Sequence, residues 1–115
     1  MKNKIGDKER LRHIRDFCVD IEKAMGQYDE DEFDKDFIVR AAVCSFLTWI
    51  GEAVAHITDE TKNKRKDIDW ANIKGIRNII THEYFGIDYK LVHKAVINNI
   101  PALKDAVEEL LKDFE

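Results

Sequence analysis

Side chains that could act on a phosphate are concentrated between residues 77 and 84, where the chain reads Arg-Asn-Ile-Ile-Thr-His-Glu-Tyr. Arg77 is permanently charged, His82 titrates near neutral pH and Tyr84 carries a phenol. In a helix, Asn78 lies one turn below His82, and Tyr84 lies almost directly above Arg77, about 10 Å along the axis. Arg77 and His82 are splayed by about 140°, so they suit an extended ligand or partners from a second copy.

These residue types fit the cleavage of RNA. RNA carries its own nucleophile, the 2′-OH, so a protein needs only a proton acceptor or donor and a group that stabilises charge on phosphorus. His82, with an unperturbed pKa of about 6.5, suits the first task, and the forked cation of Arg77 suits the second. Asn78 could orient the imidazole or a phosphate oxygen. A purely structural interpretation stays open, with Arg77 in a salt bridge, His82 solvated and Tyr84 packed.

Patterns for metals and cofactors are missing from the sequence. It has no H-x-x-x-H and no C-x-x-C, and its five glycines are scattered rather than gathered in a phosphate-binding loop. The carboxylates of residues 29–36 do not make a calcium loop, because Phe33 and Asp34 stand where alternating ligands and then glycine are needed. We therefore expect no metal and no cofactor.

Composition favours a small all-α protein. The 115 residues suit one domain, 1–115, and a single proline with 44% hydrophobic residues favours long helices over a turn-rich β fold. A net charge of −4 weighs against nonspecific binding to duplex nucleic acid. The basic run of Lys62, Lys64, Arg65 and Lys66 is either a solvated loop or a patch that steers RNA.

Cys18 and Cys44 both fall in apolar helical patterns, which predicts two small buried side chains rather than a disulfide. No apolar segment follows Met1, and no run of 18 apolar residues occurs. We expect a cytoplasmic protein without a membrane partner.

Hydrophobic periodicity predicts an up-and-down bundle of about five helices, with residues 28–36 and Thr58–Asp67 as loops. The predicted helices are Asp7–Met25, Asp36–Ile57, one from Asp69 through the motif, Tyr89–Asn99, and one from Pro101 to Phe114. Expected N-caps are Asp7, Asp34 or Asp36, Asp69, and Asp88, with Gly26 and Gly86 as stops. Pro101 is expected in the first turn of the fifth helix.

The second predicted helix is apolar on nearly every side, which a bundle of this size can hardly cover alone. Dimerisation would cover it. Gly51 costs about 1 kcal/mol in mid-helix relative to Ala, so it marks the close approach of another helix. Glu52 needs a partner in such surroundings, and His56, one turn away, is one option beside a structural contact.

The motif and its surroundings resemble the HepT toxins of the HEPN superfamily. The resemblance rests on Arg77-Asn78-x3-His82-x-Tyr84, the Phe-Gly-Ile-Asp that follows at 85–88, Trp70, and Ile-Gly-Glu-Ala at 50–53. It covers essentially the whole chain, in helix order and length.

The resemblance implies a metal-independent ribonuclease that is the toxin of a toxin–antitoxin pair. It implies that Arg77 and His82 are catalytic, within a composite site in the cleft of a homodimer. It also implies a cognate MntA-like nucleotidyltransferase antitoxin, which transfers AMP from ATP to Tyr84. The alternative is a HEPN-type module that docks a nucleotidyltransferase and helps bind nucleotide without cutting RNA.

Overall fold

The computed structural model describes residues 6–82 and 86–114, and of His82 only the backbone. These residues form six α-helices and two single-turn 3-10 segments, Asn63–Arg65 and Lys112–Phe114, and no strand. The α-helices are α1 (Asp7–Met25), α2 (Glu30–Lys35), α3 (Phe37–Ala55), α4 (Asp59–Lys62), α5 (Trp70–His82) and α6 (Tyr89–Leu111). The all-α prediction is therefore confirmed.

The four long helices α1, α3, α5 and α6 run up and down. At one end of the bundle the Asp7 carboxylate, at the start of α1, accepts a hydrogen bond from the backbone N–H of Thr58, just past the end of α3. At the other end Lys90, at the start of α6, pairs with Asp31 of α2 at 3.4 Å. Successive long helices therefore run in opposite directions, as predicted.

One apolar cluster joins these helices. Each helix presents buried residues at spacings of three and four, which is the pattern that buries one helical stripe. The fully buried large side chains include Leu11, Ile14 and Ile21 of α1, Phe33 of α2, Val43, Ile50 and Val54 of α3, and Leu103 and Val107 of α6. From α5, Trp70, Ile73 and Ile80 complete the cluster.

Three of the four expected N-caps are confirmed. Asp36 accepts a hydrogen bond from Val39 N, Asp69 from Asn72 N, and Asp88 from the backbone at the start of α6. Asp7 is not a cap, because Gly6 occupies that position. The helix stop predicted at Gly26, where φ is 55°, is confirmed. The stop predicted at Gly86 stays a prediction, because residues 83–85 lie outside the described part.

The Asp7 carboxylate instead ties α1 to α4. It accepts hydrogen bonds from the hydroxyls of Thr58 and of Thr61, which is buried. Partial burial raises the pKa of Asp7, but these hydrogen bonds outweigh it and hold the pKa below its ordinary value. The ionised form of Asp7 therefore suits this junction.

Two segments predicted as loops contain short helices. Within residues 28–36, α2 begins with a capping box between Asp29 and Glu32 and buries Phe33. Within Thr58–Asp67, α4 begins at the Thr58 cap. Both predictions were wrong because these helices are too short for a hydrophobic period, although the Asp-x-x-Glu spacing was a readable signal for the first.

The predicted break before Pro101 was also wrong, because α6 continues through it. A proline inside a helix costs about 3 kcal/mol, since it removes one hydrogen bond and crowds the preceding turn. The apolar stripe continues across it, with Val96 and Ile100 buried before the proline and Leu103 and Val107 buried after it. Each of these contributes about 1.5–3 kcal/mol on burial, so packing outweighs the proline.

Helix α3 is only partly covered, as its composition predicts. Its residues Val43, Leu47 and Ile50 face the core, whereas Phe37 and Ile38 are 68% and 67% exposed. By length and composition alone α3 could cross a membrane, which is weak evidence because a core helix passes the same test.

Cys18 and Cys44 are buried and unbridged, as predicted. Burial raises the pKa of Cys18 to about 12 and that of Cys44 to about 11. Both thiols therefore stay protonated and act as small apolar side chains.

Candidate active site

Helix α5 carries most of the candidate site, and two contacts fix where it begins. Asp69 caps its first turn, as predicted, and the indole N–H of Trp70 donates to the backbone carbonyl of Arg65 at 3.1 Å. Trp70 and Ile73 are buried, which fixes the rotation of α5 about its axis. That rotation turns Arg77 toward α3.

Helices α3 and α5 approach each other closely at Gly51, as the mid-helix glycine predicts. A Cβ atom added at Gly51 would lie 2.5 Å from the Cβ of Arg77 and 3.3 Å from its Cγ. A Cβ is fixed to its helix backbone and cannot swing aside. Only glycine at residue 51 therefore permits this separation between the two helices.

The partner that Glu52 was expected to need is Arg77. Glu52 Oε1 accepts a hydrogen bond from Arg77 Nη1 at 2.8 Å, and the two side chains are 57% and 20% exposed. His56, the other option, forms the C-cap of α3. The salt bridge expected in the structural interpretation of Arg77 is thus present, and it holds the guanidinium at a half-buried position on the surface.

Asn78 also contacts Arg77. Its Oδ1 accepts hydrogen bonds from Arg77 Nε at 3.2 Å and from Nη2 at 3.0 Å. A guanidinium has five N–H donors. Glu52 and Asn78 take three, which leaves two without an acceptor among the described residues. Two is the number that a phosphate or carboxylate accepts from a bidentate arginine.

His82 is the last residue of α5 in the described part, and its side chain lies outside it. The helical backbone from Arg77 to His82 agrees with the geometry assumed from the sequence, a rise of about 7.5 Å and a splay of about 140°. Tyr84 lies outside the described residues, so its expected position above Arg77 stays a prediction.

The basic run that begins at Lys62, the last residue of α4, is partly neutralised. Arg65 forms two hydrogen bonds with Asp67, at 2.9 and 2.8 Å, and Lys64 pairs with Asp113 at 3.3 Å. The hydrogen bond to Asp67 raises the pKa of Arg65. The net positive charge that this segment offers to RNA is therefore smaller than its sequence suggests.

An apolar groove of about 400 Å³ lies on another side of α5, between it and α6. Its lining includes Ile76, Ile79 and Ile80 of α5 and Leu91 of α6, with Ile79 and Leu91 more than half exposed. Among the described residues, no group of three His, Cys, Asp or Glu side chains is arranged to hold a metal ion.

Fold and site together define an all-helical domain with an arginine and a histidine on one helix beside a half-covered apolar face. Residues 10–110 match the family described as ribonuclease HepT-like. The chain belongs to this family, which confirms the resemblance noted in the sequence.

Relatives of similar length support this assignment. The chain is 36% identical over 98 residues to "Putative RNase MJ1380" of Methanocaldococcus jannaschii, covering 85% of this chain and 90% of that protein. It is 35% identical over 107 residues to "Putative RNase MJ0127" of the same organism, covering 93% and 83%. "Probable ribonuclease HepT" of Thermococcus cleftensis is 32% identical over 108 residues, covering 88% and 98%. No solved structure matches the chain significantly.

Gly51→Ala tests the close approach of α3 and α5. Alanine normally stabilises a mid-helix position by about 1 kcal/mol relative to glycine. The added Cβ would force the two helices apart, so we expect the free energy of unfolding to fall by roughly 1–3 kcal/mol in urea denaturation.

Gly75→Ala is the matched control, because it lies within α5 and an added Cβ meets nothing within 4 Å. We expect it to raise the free energy of unfolding by up to about 1 kcal/mol. Equal effects of the two substitutions would contradict the close approach at Gly51.

Proposed function

We propose that this chain is a metal-independent ribonuclease with Arg77 and His82 as catalytic residues and Asn78 in a supporting role. The arrangement of Arg77 carries this proposal. Its guanidinium is held by Glu52 and Asn78 and keeps two N–H donors, on the same helix as His82. Membership of the ribonuclease HepT-like family supports the choice of RNA as substrate.

The reaction needs only groups that RNA and this chain supply. The 2′-oxygen attacks the neighbouring phosphorus, so an O2′–P bond forms and the P–O5′ bond breaks. His82 takes the 2′-OH proton and, as the imidazolium, gives a proton to the leaving 5′-oxygen. The two remaining N–H groups of Arg77 bind the oxygens that gain charge on phosphorus. The products are a 2′,3′-cyclic phosphate and a 5′-OH.

A homodimer would complete the site. Trp49, 49% exposed, and Ile38 lie on the outward face of α3, with the small exposed residues Ala41 and Ser45 between them. Glu52, one turn after Trp49, borders the same face and binds Arg77. In a two-fold dimer both copies use the same surface, so a contact through this face brings two copies of the motif to one cleft. That arrangement would resolve the splay of Arg77 and His82.

Arg77→Ala and His82→Ala should each abolish cleavage of single-stranded RNA by purified protein. Arg77→Ala removes the cation that binds the phosphate, and His82→Ala removes the group that transfers the proton. We expect a loss of at least about 100-fold for each. Cleavage by the wild type should be unchanged in EDTA. Induced alone in cells, the wild type should arrest growth and both variants should not.

Arg12→Ala and His13→Ala, exposed residues of α1, are the matched controls and should cleave like the wild type. If purified wild type leaves RNA intact but binds nucleotide or a nucleotidyltransferase, the chain is the docking module instead.

Ile38→Asp tests the dimer. A charge within the proposed apolar contact should shift the protein from dimer to monomer in light scattering and lower RNA cleavage in parallel. Ile97→Asp is the control, because Ile97 is 56% exposed on α6. A monomeric wild type, or an Ile38→Asp dimer, would contradict an interface through α3.

The proposal extends to control by a nucleotidyltransferase antitoxin in the cytoplasm, with residues 1–115 as a single toxin domain. The Tyr84 phenol would attack the α-phosphorus of ATP, forming an aryl phosphodiester and releasing pyrophosphate. Tyr84 follows His82 by two residues, so their Cα atoms are at most about 7.6 Å apart. AMP on Tyr84 would bring a negative charge and a bulky group to the cleft, where it competes with RNA for Arg77.

Tyr84→Phe removes only the acceptor oxygen. We expect the variant to cleave RNA but to stay toxic when the transferase is co-expressed, whereas the wild type gains a mass of AMP and loses activity. Tyr28→Phe, at a half-buried tyrosine remote from the motif in the sequence, should still be modified and neutralised. If the transferase neutralises Tyr84→Phe and this variant gains the mass of AMP, Tyr84 is ruled out as the acceptor.

A further inference from the structure

The shortest of the hydrogen bonds described for Arg77 comes from outside the motif. Glu52 lies on α3, 25 residues before Arg77, and accepts its Nη1 hydrogen bond at 2.8 Å. Neighbouring residues of α3 thus act on one arginine, since Gly51 leaves the space for its stem and Glu52 binds its head. The helix pair therefore positions the cation before any substrate binds.

We propose that Glu52 is a positioning residue for Arg77, and that its charge sets how tightly the site holds an RNA phosphate. The inference rests on the proposed ribonuclease function. The carboxylate has two effects. It fixes the plane of the guanidinium, and it places a negative charge beside the position that the phosphate must occupy.

These two effects oppose each other in the kinetics. An arginine side chain loses rotamer freedom when it binds a ligand, and a partner that orders it beforehand removes that loss from the transition state. The nearby charge repels the phosphate in the ground state, and because Glu52 is more than half exposed the repulsion is moderated by solvent. Orientation should therefore appear in kcat, and charge in KM.

Asn78 shares with Glu52 the task of orienting the Arg77 guanidinium. Its oxygen holds the Nε and Nη2 side of the guanidinium, while Glu52 holds Nη1. The two contacts act on opposite sides of the planar group, so loss of Glu52 leaves it free to pivot about Asn78. Arg77 then keeps its positive charge, but its guanidinium is no longer held in one orientation.

Glu52→Gln and Glu52→Ala separate the two effects. Glutamine retains an acceptor oxygen without the charge, so we expect kcat within about threefold of wild type and a KM for single-stranded RNA lowered by about three- to tenfold. Alanine removes the acceptor, so kcat should fall by about tenfold or more. In Glu52→Gln, kcat should depend on pH in the same way as in the wild type, with both the acidic and the basic limb of the profile present.

Glu22→Ala is the matched control, because it removes another 2.8 Å ion pair between helices, with Lys104, without touching Arg77. It should match wild type in both kcat and KM. Urea denaturation of every variant separates lost folding from lost positioning.

NMR of the arginine side chain provides a readout that does not depend on activity. Rotation about the Cζ–Nη bonds of Arg77 should be slow in wild type and Glu52→Gln and fast in Glu52→Ala. An inactive wild type with this pattern would refute the ribonuclease proposal and leave the positioning role standing.

Two results would overturn the inference. One is a folded Glu52→Ala with wild-type kcat and slow rotation at Arg77. The other is a Glu52→Gln as slow as Glu52→Ala with a lost acidic limb in its pH profile, which would make the carboxylate a proton acceptor.

Discussion

The close approach of α3 and α5 at Gly51 is the constraint on which the candidate site depends. Two helices pack with their axes 8–10 Å apart, depending on the side chains between them. With no side chain at residue 51, the stem of Arg77 occupies that space, 2.5 Å from where a Cβ would lie. The stem is therefore shielded by α3, and the head emerges at the surface within reach of Glu52.

This arrangement explains how a protein of net charge −4 can present a useful cation. Bulk electrostatics would not draw RNA to the chain, and part of the basic segment after α4 is paired with carboxylates. The attraction must therefore be local. Arg77 is neutralised on one side by a half-exposed carboxylate and keeps two donors for a ligand, so its binding depends on geometry rather than on long-range charge.

The uncovered face of α3 connects the site to assembly. A helix that is apolar nearly all round gains free energy from every side that is covered, and in the described part of the chain α3 is covered mainly by α1 and α5. The exposed side borders Glu52 and hence Arg77. The face proposed for a second copy and the carboxylate that holds Arg77 thus lie on one helix, so a dimer formed through this face would couple assembly to the completion of the site.

The sequence by itself determined the all-α class, the up-and-down order, three N-caps and the need for a partner at Glu52. These features depend on local spacing, which periodicity and capping residues reveal directly. The motif at residues 77–84 and the family were also readable from residue types in order.

Tertiary structure decided what local spacing could not. The proline at residue 101 disfavours a helix interior, yet α6 continues because apolar side chains on both sides of it pack into one core. The sequence showed that Gly51 and Glu52 each needed a neighbour. That both meet Arg77, 25 and more residues away, follows only from how α3 and α5 pack, since such a contact depends on the relative position of two helices.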